Sequence, residues 1–386
     1  MKIREEAQRL AAHVTYGPGA IRRVPALVED VGARSVLLVC GRRSFEASGA
    51  AQMLPDLQRR VAVRRFSDFS PNTGIGDVEA GLAALRESRP DLVLAVGGGS
   101  TMDLAKLLCV LDPEADPREA VKQGAPRDTR RVRLFLAPTT SGSGSEATHF
   151  AVVYLGEDKY SVASPALLPD HVVLDPELSR TATPQQRAAS GVDALCQAIE
   201  SRWAAGATPE SQDVARRALP LLLDHLVPFV TDPTARGAEG MCLGSHLAGQ
   251  AINISKTTAP HALSYGLTMR HGISHGHAVA LTLGPFLEEH ADTGTQHLQS
   301  GVTPAEHASA MKEILSHLGA VDGRDARRRF EVLLEAIGLE RRLTRLGVVD
   351  AAERRLLATL VNTDRLANNP VAFDQAGLER MLDEAG

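Results

Sequence analysis

The chain has 386 residues, 44% hydrophobic and 23% charged, which supports a sizeable buried core and gives length for two domains. A formal net charge of -5, with no long basic block, excludes a nucleic-acid surface built on positive charge. Nowhere do about 18 apolar residues run together, and the first residues hold no apolar leader core, so the expected setting is cytoplasmic, with no membrane partner.

Short apolar runs at 35–41, 60–66, 91–100, 132–140 and 171–178 read as strands, and helical patterns separate them. That alternation predicts parallel βαβ units, an α/β domain of Rossmann-like type over residues 1–182. Beyond "LSRTATPQQ", where Thr183 is placed to cap a helix with Pro184 at its first position, long amphipathic patterns predict an all-helical domain over 183–386. Cys40, Cys109, Cys196 and Cys242 occur singly without CxxC spacing, which fits a reducing compartment.

Within the first part, "LAVGGGSTMDLAKLL" is a strand, three glycines, and a helix start. Gly97, Gly98, Gly99, Ser100 and Thr101 form a loop whose backbone can approach a diphosphate closely, with Asp103 following on the helix. A second strand-end loop, "APTTSGSGSEAT", carries Thr139, Thr140 and Ser143, so two anion-friendly loops in one sheet suggest a dinucleotide. After the first of these apolar runs, Gly41 stands where an NAD-preferring fold holds an acid, and Arg42 and Arg43 follow. That leans toward NADPH over NADH, although two solvated surface arginines fit the residues equally well.

In the second part, Asp193 and Gln197 lie one helical turn apart, and His261, His271, His275 and His277 cluster in a short window. Carboxylate, carboxamide and imidazole together make a mixed oxygen and nitrogen site suited to Zn(2+) or Fe(2+).

Taken in order, "GGGSTMDLAK", "PTTSGSGSEAT", "SPALLPDHVVLDPEL", "GVDALCQAIE", "PHALSYGL" and "SHGHAVAL" resemble the iron-dependent (group III) alcohol dehydrogenases over nearly the whole chain. The resemblance implies a dinucleotide-binding domain, a helical domain of the dehydroquinate synthase-like architecture, and one divalent metal in a cleft between them. It maps the metal ligands onto Asp193, Gln197, His261 and His275, and adds Asn72 and Lys159 to the cofactor-binding residues. It also implies a homodimer. Gln197 replaces a family histidine and Tyr265 replaces another, which leaves Tyr265, His271, His277 or a metal-linked water to complete proton transfer.

Where relatives are apolar or small, this chain has "NISKTTAP", with Asn253 and Lys256, and near its end "NTDRLANNPV", with Arg365; His149 maps to the same cavity. Such residues form a receptor for a compact dianion. The implied substrate is a small anionic aldehyde, a phosphonate-bearing one first. The competing readings are a 2-oxo acid such as phosphonopyruvate, a lyase of the dehydroquinate synthase type, and a binding protein whose metal site has been silenced.

Overall fold

The computed structural model describes residues 2–124, 128–156, 158–294 and 297–386. Numbering the strands in chain order, β1 is Val14–Tyr16, β2 Ser35–Cys40, β3 Ala62–Phe66, β4 Leu92–Gly97, β5 Arg133–Pro138, β6 Phe150–Leu155, β7 Asp158–Ala163 and β8 His171–Leu174. Helices of ten residues or more are α1 Ile75–Ser88, α2 Gly99–Val110, α3 Pro184–Trp203, α4 Pro209–Thr231, α5 Ala235–Ser255, α6 Ala259–His271, α7 His275–Asp292, α8 Pro304–Leu318, α9 Gly323–Ala336 and α10 Gln375–Glu384.

The chain divides into two compact units, one of residues 1–182 with 234–246, the other of residues 183–233 with 247–386. The stretch 234–246, the first part of α5, therefore packs with the α/β unit and not with the helical residues around it in sequence. Val172, Leu174 and Cys242 share one apolar cluster, which gives the reason.

The first unit is built on a six-stranded parallel sheet in the order β1-β8-β5-β4-β2-β3. Successive residues of the central strands alternate between two cores: Leu37, Val39, Val93, Ala95 and Leu134 face one, while Val36, Leu38, Leu92, Leu94 and Phe135 face the other. Both faces being covered is why these strands read as unbroken apolar runs. The sequence reading omits β1, which is three residues long, and the antiparallel hairpin β6–β7, registered from Phe150 opposite Ala163 to Leu155 opposite Asp158. In the hairpin the half-buried residues Val152, Tyr154, Tyr160 and Lys159 blur the apolar signal.

In the second unit α3 opens with the Thr183 hydroxyl accepting from Gln186 N and the Gln186 side chain accepting from Thr183 N, a capping box with Pro184 at the first helical position. Among the described residues this unit has no strand, only a bridge between Leu298 and Val371. No described helix is long and apolar enough to cross a membrane. All four cysteines are free and buried, and burial pushes the Cys109 thiol up to about 12.

Candidate active site

In the first unit the parallel strands bring the ends of β2, β4 and β5 to one edge of the sheet, and the chain order reverses between β2 and β4. The carboxyl edge at such a switch point is where open α/β sheets bind nucleotides. The loop after β4 is shaped by its glycines. A Cβ on Gly97 would lie 2.3 Å from Thr101 Oγ1, so only glycine lets α2 start this close to the strand. Thr101 is thereby a packing residue. Positions for a Cβ on Gly98 and Gly99 face Thr140 and Ser143, which puts the two loops side by side, and Thr139 N donates to Gly97 O. Asn72, with φ of 58°, donates its N–H to Ser100 Oγ, tying the segment after β3 to the same loop.

Other residues assigned to the cofactor from sequence also make contacts within the protein. Asp103 accepts from Ser145 Oγ at 2.6 Å and from Val152 N at 3.1 Å, so its carboxylate anchors the second loop and the β6–β7 hairpin. Burial raises its pKa, opposed by Lys106, and Lys159 on β7 adds a weaker favourable field. Lys106, which has no exposed surface, donates to Thr148 O, Thr148 Oγ1 and Phe150 O at 2.8–3.0 Å. Burial pulls it down to about 8, against Asp103 and Glu146. Glu146 is paired with His246 at 3.1 Å, both buried. Beside Gly41, Arg42 pairs with Asp68 and donates to Ser67 O, while Arg43 precedes the short helix Ser44–Ala47. Arg65, not considered from sequence, donates to the Gly41 and Arg42 carbonyls and stacks over Phe45.

The second unit assembles the ion site. Asp193, His261 and His275 place one ligating atom each within 4.8 Å of one another. Asp193 comes from α3, His261 from α6 and His275 from the first position of α7. Gly276 permits that meeting: a Cβ there would lie 2.1 Å from Ala189 O and 2.6 Å from the Asp193 Cβ, so α7 starts hard against α3. Gln197 is buried on the same face of α3, and its Nε2 donates to Asp193 Oδ2 at 3.1 Å. Its amide is thus directed at the carboxylate of the site.

The histidines are held from behind. His261 Nδ1 is hydrogen-bonded to Glu200 Oε1, and its Nε2 lies 3.4 Å from Asp193 Oδ1. Ser264 Oγ sits 3.3 Å from His275 Nδ1, and the Tyr265 ring stacks on His275 with centroids 6.0 Å apart. Burial opposes charge on His261, but Glu200 and Asp193 outweigh it and push the imidazole up to about 10. Two buried carboxylates around that ring demand a cation, which a proton satisfies when nothing stronger is bound. The donor set, one carboxylate and two imidazoles beside a carboxamide, fits a divalent iron or zinc ion.

His271 and His277 lie elsewhere. His271 pairs with Glu353 at 3.0 Å beside Arg270, and His277 Nε2 donates to Glu340 O at 2.5 Å. Both are candidates for proton transfer from sequence; His277 stands two residues after His275 on α7 and so faces the other way, while His271 ends α6, across the Gly272 turn from His275. Glu200, by contrast, is absent from the site read out of "GVDALCQAIE". Its signal was its place seven residues after Asp193, two turns along the same face.

Of the anion-binding candidates, Lys256 is the most informative. It follows α5 with φ of 60°, a left-handed conformation that costs a non-glycine residue roughly 1 kcal/mol, and its side chain is exposed with no polar partner among the described residues. The turn is held in place by Asn368, whose amide donates to Ser255 O and Thr257 O, and by Ser255 Oγ bonded to Ser201 Oγ. Arg365 is half-buried three residues before Asn368, so its helix, Thr363–Ala367, is tied to the Lys256 turn. Asn253 is half-buried in the last turn of α5. His149 belongs to the first unit, its ring edge-on to Phe150.

Known proteins bear on this geometry. The chain matches the family described as iron-containing alcohol dehydrogenase over residues 11–176, and the C-terminal family of the Fe-containing alcohol dehydrogenases over 187–386. It is 33% identical to a phosphonoacetaldehyde reductase of Streptomyces viridochromogenes, covering 95% of this chain and 91% of that one. It is 29% identical to long-chain-alcohol dehydrogenase 1 of Geobacillus thermodenitrificans, covering 96% and 94%. Among solved structures, sulfoacetaldehyde reductase from Bifidobacterium kashiwanohense in complex with NAD+ superposes with a TM-score of 0.85 at 28% identity, covering 96% of each chain.

Proposed function

Because the chain belongs to the iron-containing alcohol dehydrogenases, NAD(P)-dependent oxidoreductases, we propose that it reduces phosphonoacetaldehyde to 2-hydroxyethylphosphonate. The carrying observation is Lys256: an exposed ammonium without a partner among the described residues, on a strained turn kept in place by bonds of Ser255 Oγ to Ser201 Oγ and Ala251 O and of the Asn368 amide to Ser255 O and Thr257 O. Strain maintained by surrounding structure marks a residue that has to point somewhere. The similarity to reductases of phosphonoacetaldehyde and sulfoacetaldehyde, both two-carbon aldehydes with an acidic oxyanion, supports the same substrate chemistry.

Asp193, His261 and His275 would hold the metal. Bound there, a divalent ion withdraws electron density from a carbonyl oxygen, and a reduced nicotinamide supplies hydride. Lys256, with Arg365 on the adjoining segment, clamps the phosphonate and so fixes the orientation of the aldehyde carbon two bonds away. Tyr265, stacked on His275, is assigned the proton delivered to the product oxygen. NADP(H) is the assigned coenzyme, because Gly41 offers no acid to a ribose 2′-OH and Arg42 and Arg43 follow it. The exposed Arg42–Asp68 pair is worth at most about 1 kcal/mol, so a 2′-phosphate can take the guanidinium over.

Steady-state kinetics with phosphonoacetaldehyde, sulfoacetaldehyde and propanal test the proposal. Lys256→Ala and Arg365→Ala should each lower kcat/KM for the anionic aldehydes by about 2–4 kcal/mol and barely change propanal. Equal losses on all three substrates would sink the clamp. A preference for propanal in the unaltered enzyme would sink the substrate.

A further inference from the structure

We propose that Glu200 is a positioning residue for the ion site: it selects the tautomer of His261 and replaces the missing N-cap of the helix that carries it. The inference rests on the ion site and not on the identity of the substrate.

Helix α6 begins without a side-chain cap of its own, since Thr258 at the N-cap makes no such bond. An uncapped helix leaves its first N–H groups without partners, a serious cost where they are buried. Here the first donors are served from outside the helix. Glu200 Oε2, on α3, accepts from Thr258 N at 2.6 Å and from Thr258 Oγ1 at 2.7 Å. Asn369 Oδ1 accepts from Ala259 N at 3.4 Å. Trp203 Nε1, one turn beyond Glu200, donates to Thr258 Oγ1, which completes the hydroxyl's bonding. Glu200 has no exposed surface, so a carboxylate is stationed in the interior and must be fully satisfied there.

The other oxygen of the same carboxylate meets His261 Nδ1. An ionised carboxylate only accepts, so Nδ1 carries the proton and Nε2, on the side of Asp193, keeps its lone pair for an ion. One carboxylate therefore sets both where His261 stands, through the first turn of α6, and which nitrogen it offers. A glutamine could keep the Thr258 bonds with its oxygen, but its NH2 would then face Nδ1 and drive the proton to Nε2, the ligating position.

Titration of the chelator-stripped protein with Co2+, followed by the visible absorption of the bound ion and by chelator competition, tests this without relying on activity. The Glu200→Gln variant should bind Co2+ some 10- to 100-fold more weakly, in the range of second-shell substitutions. Thr258→Val, which removes a cap bond and spares the His261 contact, should unfold at lower temperature yet bind Co2+ within threefold of the unaltered protein. Retained affinity in Glu200→Gln would overturn the proposal, and so would an equal loss in Thr258→Val, since displacement of α6 would then account for both. An arm that needs no variant uses the zinc-loaded protein: imidazole 15N shifts should show His261 protonated at Nδ1, and protonation at Nε2 would refute the assignment.

Discussion

Replacing Lys106 with methionine keeps the apolar stem and deletes the ammonium that joins α2 to the second nucleotide loop. Three acceptors lose their donor, but Thr148 Oγ1 can still donate to Ser145 O at 3.2 Å or to Phe150 O at 3.4 Å, so Thr148 O is the acceptor that loses most. One buried carbonyl stripped of its donor and a second left with a longer bond cost about 2–3 kcal/mol together. Asp103 loses the cation beside it while keeping Ser145 and Val152, an attraction that the Lys106 pKa already contains. Against this, a depression of Lys106 to about 8 means that roughly 3 kcal/mol of net penalty, burial less the attraction of Asp103 and Glu146, disappears with the charge. Near pH 7 the two proteins should therefore differ by no more than about 1 kcal/mol, on the order of 2–4 °C for a unit of this size. The sign of the pH dependence follows from the same shift. A lysine whose folded pKa lies below its unfolded value leaves the unfolded chain binding more protons between about pH 8 and 10.5, so the Lys106 contribution rises with pH across that window. Thermal unfolding of both proteins from pH 7 to 10 should therefore show a gap that widens, and NADPH fluorescence titration should show weaker binding, because the loop holding Thr140 and Ser143 has lost its anchor. A gap that narrows with pH, or NADPH affinity left unchanged, would refute the reasoning.

Gln197→His should tighten Zn2+ binding at least tenfold in chelator competition, because imidazole is a stronger ligand than a carboxamide; no change would place residue 197 outside the coordination sphere. His261, held up near 10 without metal, has to lose a proton when an ion binds, so calorimetry in buffers of differing ionisation enthalpy should report one proton released, with affinity rising about tenfold per pH unit between 7 and 9. For the metal-free protein the raised pKa means that the stabilising contribution of His261 is complete below about 6.5 and lost as pH climbs through 10, so chelator-stripped protein should melt earlier at alkaline pH. Gly276→Ala should push α7 away from Ala189 O, costing about 1–3 kcal/mol of stability, and elemental analysis should find the purified protein depleted of iron.

The sequence by itself determined the elements whose signals are local. Buried parallel strands such as Leu92–Gly97 declare themselves as apolar runs, and Thr183 with Pro184 marks the start of α3, because these preferences belong to the backbone and to nearest neighbours. The pairing of Asp193 with His261 and His275 was legible through resemblance, and the spacing of Asp193 and Glu200 on one helical face was there to be read. Only the tertiary structure decided which histidines meet. His275 and His277 look alike in "SHGH", yet contact with α3 at Gly276 selects the first while Glu340 takes the second. Likewise Asp103 and Lys106, plausible as solvated charges at a helix start, are bonded to a loop and hairpin that arrive some forty residues later, and Lys106 is fully buried there. The strained backbone of Lys256 has the same origin, since the bonds of Asn368 that fix it span more than a hundred residues. Local propensity stops within a few residues, whereas the partner that settles a buried polar group is supplied by packing.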